Sequence, residues 1–153
     1  KSSCINIINM FIQKWFQQNK ILKVGFEDVL YALQNPNSYL IINTLSKDNQ
    51  QCLIKNTLPV ENEEHIINEY INKNACHKIK IIIYGENSSD PNVDSKYKQF
   101  SDLGFETYIY GGGLFEWLLL QDIYSNSEFP TTSKQLDILK YKSKPILHIP
   151  LLR

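Results

Sequence analysis

Short apolar runs alternate along this chain with segments whose apolar residues recur every three or four positions. The runs have lengths typical of β-strands and occupy residues 20–24, 39–43, 52–58, 79–84 and 106–110. Runs that are almost continuously apolar, such as YLIIN at 39–43 and IKIIIY at 79–84, are typical of strands covered on both faces. Because helical segments separate the runs, the sequence predicts an α/β fold. We expect a mostly parallel sheet of about five strands with helices on both faces.

The helical segments are bounded by residues that start or stop helices. The spacing predicts helices over residues 26–33, 61–74 and 92–103, and another that begins after three consecutive glycines at 111–113. Asn35 and Pro36 supply turn chemistry at the end of the first of these helices. The connections between strands are therefore predicted to be helical crossovers.

Both ends of the chain extend beyond this alternating pattern. Residues 1–19 place apolar side chains at helical spacing, which predicts an amphipathic helix packed on the domain. Residues 20–125 hold the strands and form the predicted core domain. Residues 126–153 have a mixed composition with an apolar end, and we expect this C-terminal extension to lie along the domain surface.

Length and charge exclude several classes of protein. The 153 residues suit one domain with one hydrophobic core, and a 42% hydrophobic fraction is not that of a disordered chain. Sixteen basic residues balance sixteen acidic ones, so the overall charge favours neither nucleic acid nor an anionic membrane as partner. A protein partner and the oligomeric state stay open.

The cysteines offer no metal or redox motif. Cys4, Cys52 and Cys76 are widely spaced and form no CxxC pair, so we expect no structural zinc, and no other metal or cofactor is indicated. Reduced thiols of this kind indicate a cytoplasmic protein.

Several residues at element ends resemble those of rhodanese-like domains. The segment from Val24 to Leu30 is similar to the family's opening strand and helix, and the strand ending at Tyr84 is similar to the strand that delivers its active-site loop. The best matches follow: Leu103-Gly104-Phe105 at a helix end, then Tyr110-Gly111-Gly112-Gly113 with Trp117 four positions later. The resemblance covers roughly residues 20–125 and implies a rhodanese-like fold.

The resemblance also implies a place for a catalytic cysteine, and that residue is missing. Active members carry the nucleophile directly after the strand, in a loop of backbone N–H groups that stabilises a persulfide. Here the position is Gly85, which has no nucleophile, and the vestigial active-site loop continues as Glu86, Asn87, Ser88, Ser89 and Asp90. This loop contains no arginine and two carboxylates, so sulfurtransferase activity is not expected.

Other catalytic groups are weaker candidates. The resemblance places Cys52 at the position of the family's His, at an end of the sheet that could face the loop, but the sequence puts no evident base or cation beside it. Cys76 is expected at the opposite end of the strand 79–84. Ser88 and Ser89 lack a nucleophile elbow. The three glycines at 111–113 match neither phosphate-binding fingerprint. The resemblance implies instead that they allow a tight turn next to the neighbouring strand end.

Two functions remain open from the sequence. The first is a catalytically inactive rhodanese-like domain that acts as a protein-interaction or regulatory module. The alternative is a sulfurtransferase-related enzyme or small-anion binder with altered chemistry, in which Glu86 and Asp90 serve as acid and base.

Overall fold

A computed structural model describes residues 2–18 and 20–147 of the chain. Five helices and four strands follow one another in the order α1 (Ser2–Gln18), β1 (Lys23–Val24), α2 (Phe26–Gln34), β2 (Tyr39–Asn43), α3 (Val60–Asn72), β3 (Lys80–Tyr84), α4 (Pro91–Asp102), β4 (Glu106–Tyr110) and α5 (Gly113–Ile123). Residues 1 and 19 of the predicted N-terminal helix, and residues 148–153 of the predicted C-terminal extension, lie outside the described residues.

The four strands form one fully parallel sheet in the order β1-β4-β3-β2. Their carboxyl ends therefore meet at one edge, where Asn43 of β2 pairs with Tyr84 of β3. The predicted α/β class with a parallel sheet is confirmed.

The sheet has four strands where the sequence predicts about five. The apolar run at residues 52–58 makes only isolated bridges, from Thr57 to Ile41 in β2 and from Ile54 to Thr131 near the C terminus. Its backbone groups bond to two different neighbours, so no continuous ladder forms. β1 is also shorter than predicted and holds only Lys23 and Val24.

Successive residues of the strands point to opposite faces of the sheet and fill two separate cores. In β3, Ile82 and Tyr84 pack beneath α2 and α5, whereas Ile81 and Ile83 pack beneath α3 and α4. All four side chains are 2% exposed or less. This burial explains why the run is apolar at almost every position rather than at every second one.

The Leu-Gly-Phe segment at the end of α4 is a Schellman motif. Gly104 has φ +96°, its N–H donates to Ser101, and the next N–H, of Phe105, donates to the carbonyl of Phe100. The rings of Phe100 and Phe105 meet edge to face at 6.3 Å between centroids. The motif therefore ends α4 and starts the approach to β4.

The N-terminal helix differs from its prediction. Every described side chain of α1, residues 3–15, is exposed, including seven large apolar ones: Ile5, Ile7, Ile8, Met10, Phe11, Ile12 and Trp15. The predicted packing on the domain is therefore not what these side chains show. Helices α2 to α5 already cover both faces of the sheet, which leaves no open sheet face for a fifth helix. Within residues 2–18 and 20–147, no helix is both long and apolar enough to cross a bilayer.

Two aromatic side chains of the C-terminal extension enter the core, while most of its described residues are exposed. Phe129 and Tyr141 are 5% and 1% exposed, and Phe129 packs edge to face on Trp117 at 5.1 Å. The Trp117 indole N–H donates to the Pro130 carbonyl at 3.2 Å. Thr132 donates its N–H to Leu53, so residues near 130 are bound to the segment after β2.

Candidate functional site

The loop that follows β3 lies at the carboxyl edge of the sheet, where ligands of parallel α/β folds commonly bind. It begins at Gly85, which is buried, and ends at Asp90, the N-cap of α4. The backbone N–H of Thr44, just past β2, donates to the carbonyl of Tyr84 and fixes the start of the loop.

The side chain of Asp90 turns back into the loop. Its Oδ2 accepts a hydrogen bond from the Thr44 hydroxyl at 2.8 Å and from the Glu86 N–H at 3.4 Å. Its Oδ1 accepts from the N–H of Asn92 at 2.9 Å and caps α4. Both carboxylate oxygens therefore have partners within the protein, and the carboxylate occupies the centre of the loop.

A side chain at position 85 has no room in this arrangement. A Cβ built on Gly85 lies 2.3 Å from Asp90 Oδ2 and 2.7 Å from a methyl carbon of Val93. A carbon atom at these separations overlaps both the oxygen and the methyl carbon, so Asp90 and Val93 must both shift before any residue with a side chain fits. The absence of a side chain at position 85 makes space for Asp90.

The backbone N–H groups of the loop are largely occupied by acceptors inside it. Glu86 donates to Asp90, Ser89 donates to the Asn87 side-chain oxygen at 2.9 Å, and the Asp90 N–H donates to the Asn87 carbonyl at 3.4 Å. An anion cradle needs several such groups free and convergent. These three bonds leave the loop less suited to an anion than an open ring of donors.

The N-terminus of α5 holds the loop from the other side. The N–H groups of Leu114 and Phe115 donate to the carbonyls of Gly85 and Glu86, each at 2.9 Å. This contact needs a glycine at position 113, whose φ is +65° and whose built Cβ would lie 2.7 Å from the Gly85 carbonyl oxygen. Gly113 thus allows a close approach between the start of α5 and the backbone of the loop.

The remaining predicted loop residues lie together but face different partners. Glu86 Oε1 accepts from the Asn49 amide at 3.2 Å, and the Asn87 amide donates to the carbonyl of Tyr141 at 2.9 Å. Ser88 and Ser89 are exposed. Glu86 and Asp90, the predicted acid and base pair, are each bound to protein donors.

An open cleft of about 650 Å³ lies over this loop. One wall consists of residues from the loop and from the segments beside it: Thr44, Leu45, Ser46, Glu86, Asn87, Ser89, Asp90, Pro91 and Asn92. The other wall is the C-terminal extension, with Leu139, Lys140, Lys142, Lys144 and Ile146. Sequence reasoning missed this second wall. The alternation of lysine at 140, 142 and 144 was the available signal.

Cys52 is buried, and the charge of Lys140 does not offset the effect of this burial on its thiol. It is 1% exposed, and its Sγ donates to the carbonyl of Ser133 at 3.3 Å. Burial raises the pKa of the Cys52 thiol, which favours the protonated form over the nucleophilic thiolate. The C-terminal extension forms the cover over this thiol.

Cys76 lies before β3, at the opposite end of that strand from the loop. Across the five residues of β3, a rise of about 3.3 Å each separates the two ends by more than 10 Å. Within residues 2–18 and 20–147, no group of three His, Cys, Asp or Glu side chains is placed to hold a metal ion.

Comparisons with known proteins give the fold of this site but no chemistry. No protein-family model and no curated protein matches the sequence. The chain is similar to the solved structure of the BH2092 protein from Bacillus halodurans, with a TM-score of 0.53 and 15% identity over 76% of this chain and 81% of that one. It is also similar to a protein from Lactobacillus plantarum, with a TM-score of 0.50 and 16% identity over 78% of this chain and 94% of that one. At these identities the similarity shows a shared fold alone.

Proposed function

We propose that this chain is a catalytically inactive rhodanese-like domain that serves as a protein-interaction or regulatory module. The family assignment rests on motifs before and after β4. The Gly104-Phe105 pair ends the helix before this strand, Gly113 forms the turn against the loop after it, and Trp117 follows in the buried face of α5. The parallel sheet supports this assignment at the level of fold.

The observation that carries the proposal is the contact between Gly85 and Asp90. A rhodanese-like enzyme needs a cysteine thiolate at the position of Gly85 to accept a sulfur atom. Here the position has no side chain, and Asp90 occupies the space with a carboxylate that would repel both a thiolate and an anionic sulfur donor. The missing side chain at position 85 and the carboxylate of Asp90 both oppose sulfur transfer.

Cys52 and Cys76 support the same conclusion. Cys52 is buried with a raised pKa, and Cys76 is at the far end of β3. A cytoplasmic location is part of the proposal and is supported by the three free cysteines, since such thiols persist in reducing compartments.

The test is transfer of sulfur from thiosulfate to cyanide, with release of sulfite and formation of thiocyanate. We expect none from the purified protein and none from the Gly85→Cys variant, because the new side chain meets Asp90 and the loop has no arginine. An active rhodanese-like enzyme assayed in parallel provides the positive control. Turnover by the unmodified protein that disappears in Cys52→Ser would overturn the proposal.

A further inference from the structure

We infer that the cleft over the loop after β3 binds an extended, acidic segment of a protein partner, with Lys140, Lys142 and Lys144 as its basic wall. This inference rests on the proposed function and names the chemistry of the partner. The lysines belong to the C-terminal extension, outside the rhodanese-like core, so the site is a property of this chain.

The segment that carries the three lysines is anchored to the domain at the residues between them. Tyr141 is buried, and its carbonyl accepts from the Asn87 amide at 2.9 Å. The Ser143 hydroxyl donates to the Ser89 hydroxyl at 3.3 Å. Lys140 lies in the 3-10 turn Ile138–Tyr141 with its Nζ 5.5 Å from the centroid of the Tyr141 ring, and the backbone becomes extended at Lys142. Lys140, Lys142 and Lys144 all line the cleft.

The positive charge of this wall is not neutralised within the protein. Among residues 2–18 and 20–147, no acidic side chain forms an ion pair with Lys140, Lys142 or Lys144. The two carboxylates across the cleft, Glu86 and Asp90, already accept hydrogen bonds from the protein. An acidic partner would therefore supply the negative charge that the lysines lack.

The shape and composition of the cleft favour a peptide over other polyanions. Leu45, Leu139 and Ile146 line it beside the lysines and offer apolar contacts to side chains between acidic residues. A continuous phosphate backbone would face Glu86 and Asp90 on the opposite wall, and a flat bilayer does not enter a concave site. An extended peptide can direct its acidic residues to the lysines and its apolar residues to the apolar side chains of the cleft.

The experiment measures binding of a fluorescein-labelled peptide of about ten residues, mostly Glu with two Leu, to the full chain by fluorescence anisotropy. The same peptide with Gln in place of Glu is the matched ligand control. We expect the acidic peptide alone to bind, and its affinity to fall as salt rises from low to physiological concentration. Competition by excess inorganic phosphate at equal ionic strength, or binding to anionic vesicles in preference to the peptide, would overturn the inference.

A pair of variants locates the site. Lys142→Gln with Lys144→Gln should weaken binding about tenfold, since each exposed charge pair contributes modestly. Lys73→Gln with Lys98→Gln removes the same charge from exposed positions outside the cleft and should leave the affinity unchanged. Equal losses in both pairs would contradict the assigned site. If the peptide does not bind, the inference of a peptide site in this cleft is wrong. The proposal of a catalytically inactive module is unaffected, because only sulfur-transfer activity contradicts that proposal.

Discussion

The hydroxyl of Tyr84 lies 2.8 Å from the hydroxyl of Thr57, in the core beneath α2 and α5. The same phenol oxygen accepts the N–H of Ile54 at 3.1 Å, and the Thr57 hydroxyl lies 2.6 Å from the Ile54 carbonyl. The last residue of β3 thus holds the irregular segment after β2 in place of a regular strand ladder.

Tyr84→Phe should lower the free energy of unfolding by about 1–3 kcal/mol. The substitution leaves the buried N–H of Ile54 without its acceptor, and an unpaired buried donor costs more than an average hydrogen bond gains. Urea unfolding followed by tryptophan fluorescence measures the change.

Tyr141→Phe is the matched control. Tyr141 is as buried as Tyr84, but within the described residues its hydroxyl has no hydrogen-bond partner. Its removal should leave stability unchanged or slightly higher, because no bond is lost and a buried polar atom disappears. Equal destabilisation by the two substitutions would contradict the hydrogen-bond assignment at Tyr84.

Stability should fall as the pH rises above about 9. Burial raises the pKa of Tyr84, and burial with the nearby Glu116 carboxylate raises that of Tyr110; burial raises that of Cys52 as well. In the unfolded chain these groups lose their protons near their ordinary pKa values, about 8.5 for Cys and about 10 for Tyr. The folded state then binds more protons than the unfolded state, so the free energy of unfolding decreases with pH.

Urea midpoints measured from about pH 7 to about pH 11 test this dependence. Tyr84→Phe should show a shallower decline above pH 9 than the unmodified protein, because one of the shifted groups is gone. Parallel slopes in the two proteins would show that Tyr84 keeps an ordinary pKa in the fold.

Gly113→Ala should destabilise the protein by about 1–3 kcal/mol, because a side chain at φ +65° is strained and its Cβ meets the Gly85 carbonyl oxygen. Gly111→Ala is the control, since its Cβ would meet no atom within 4 Å, and a change within about 0.5 kcal/mol is expected. Thermal unfolding of both variants gives the comparison. Similar losses would indicate that the glycine run needs flexibility in general rather than one close contact.

The sequence predicts the strands of this fold better than it predicts the contacts of the C-terminal extension. β2 and β3 are recognisable because burial on both faces requires nearly continuous apolar runs, a local property of the chain. The burial of Tyr141 has no such local pattern. It depends on contacts with residues far away along the chain, such as the hydrogen bond from Asn87, 54 positions earlier.

Only part of the candidate site could likewise be predicted from the sequence. The place of the loop and the missing nucleophile at Gly85 follow from the strand before it, so both could be predicted. The position of the Asp90 side chain could not, because it depends on the Thr44 hydroxyl, 46 positions away, and on the capping of α4. The spacing of apolar residues predicts the helix α1, but it does not specify which residues the apolar face of this helix contacts.

The Trp117 indole is synthesised before the Pro130 carbonyl to which it donates its hydrogen bond. The N-terminal part of a chain leaves the ribosome first, so the sheet residues emerge before their cover exists. Before Phe129, Pro130 and Tyr141 are synthesised, the indole lacks its hydrogen-bond acceptor and an aromatic neighbour. The Cys52 thiol also lacks the C-terminal segment that covers it. A truncated chain that ends at residue 125 would lack these contacts permanently.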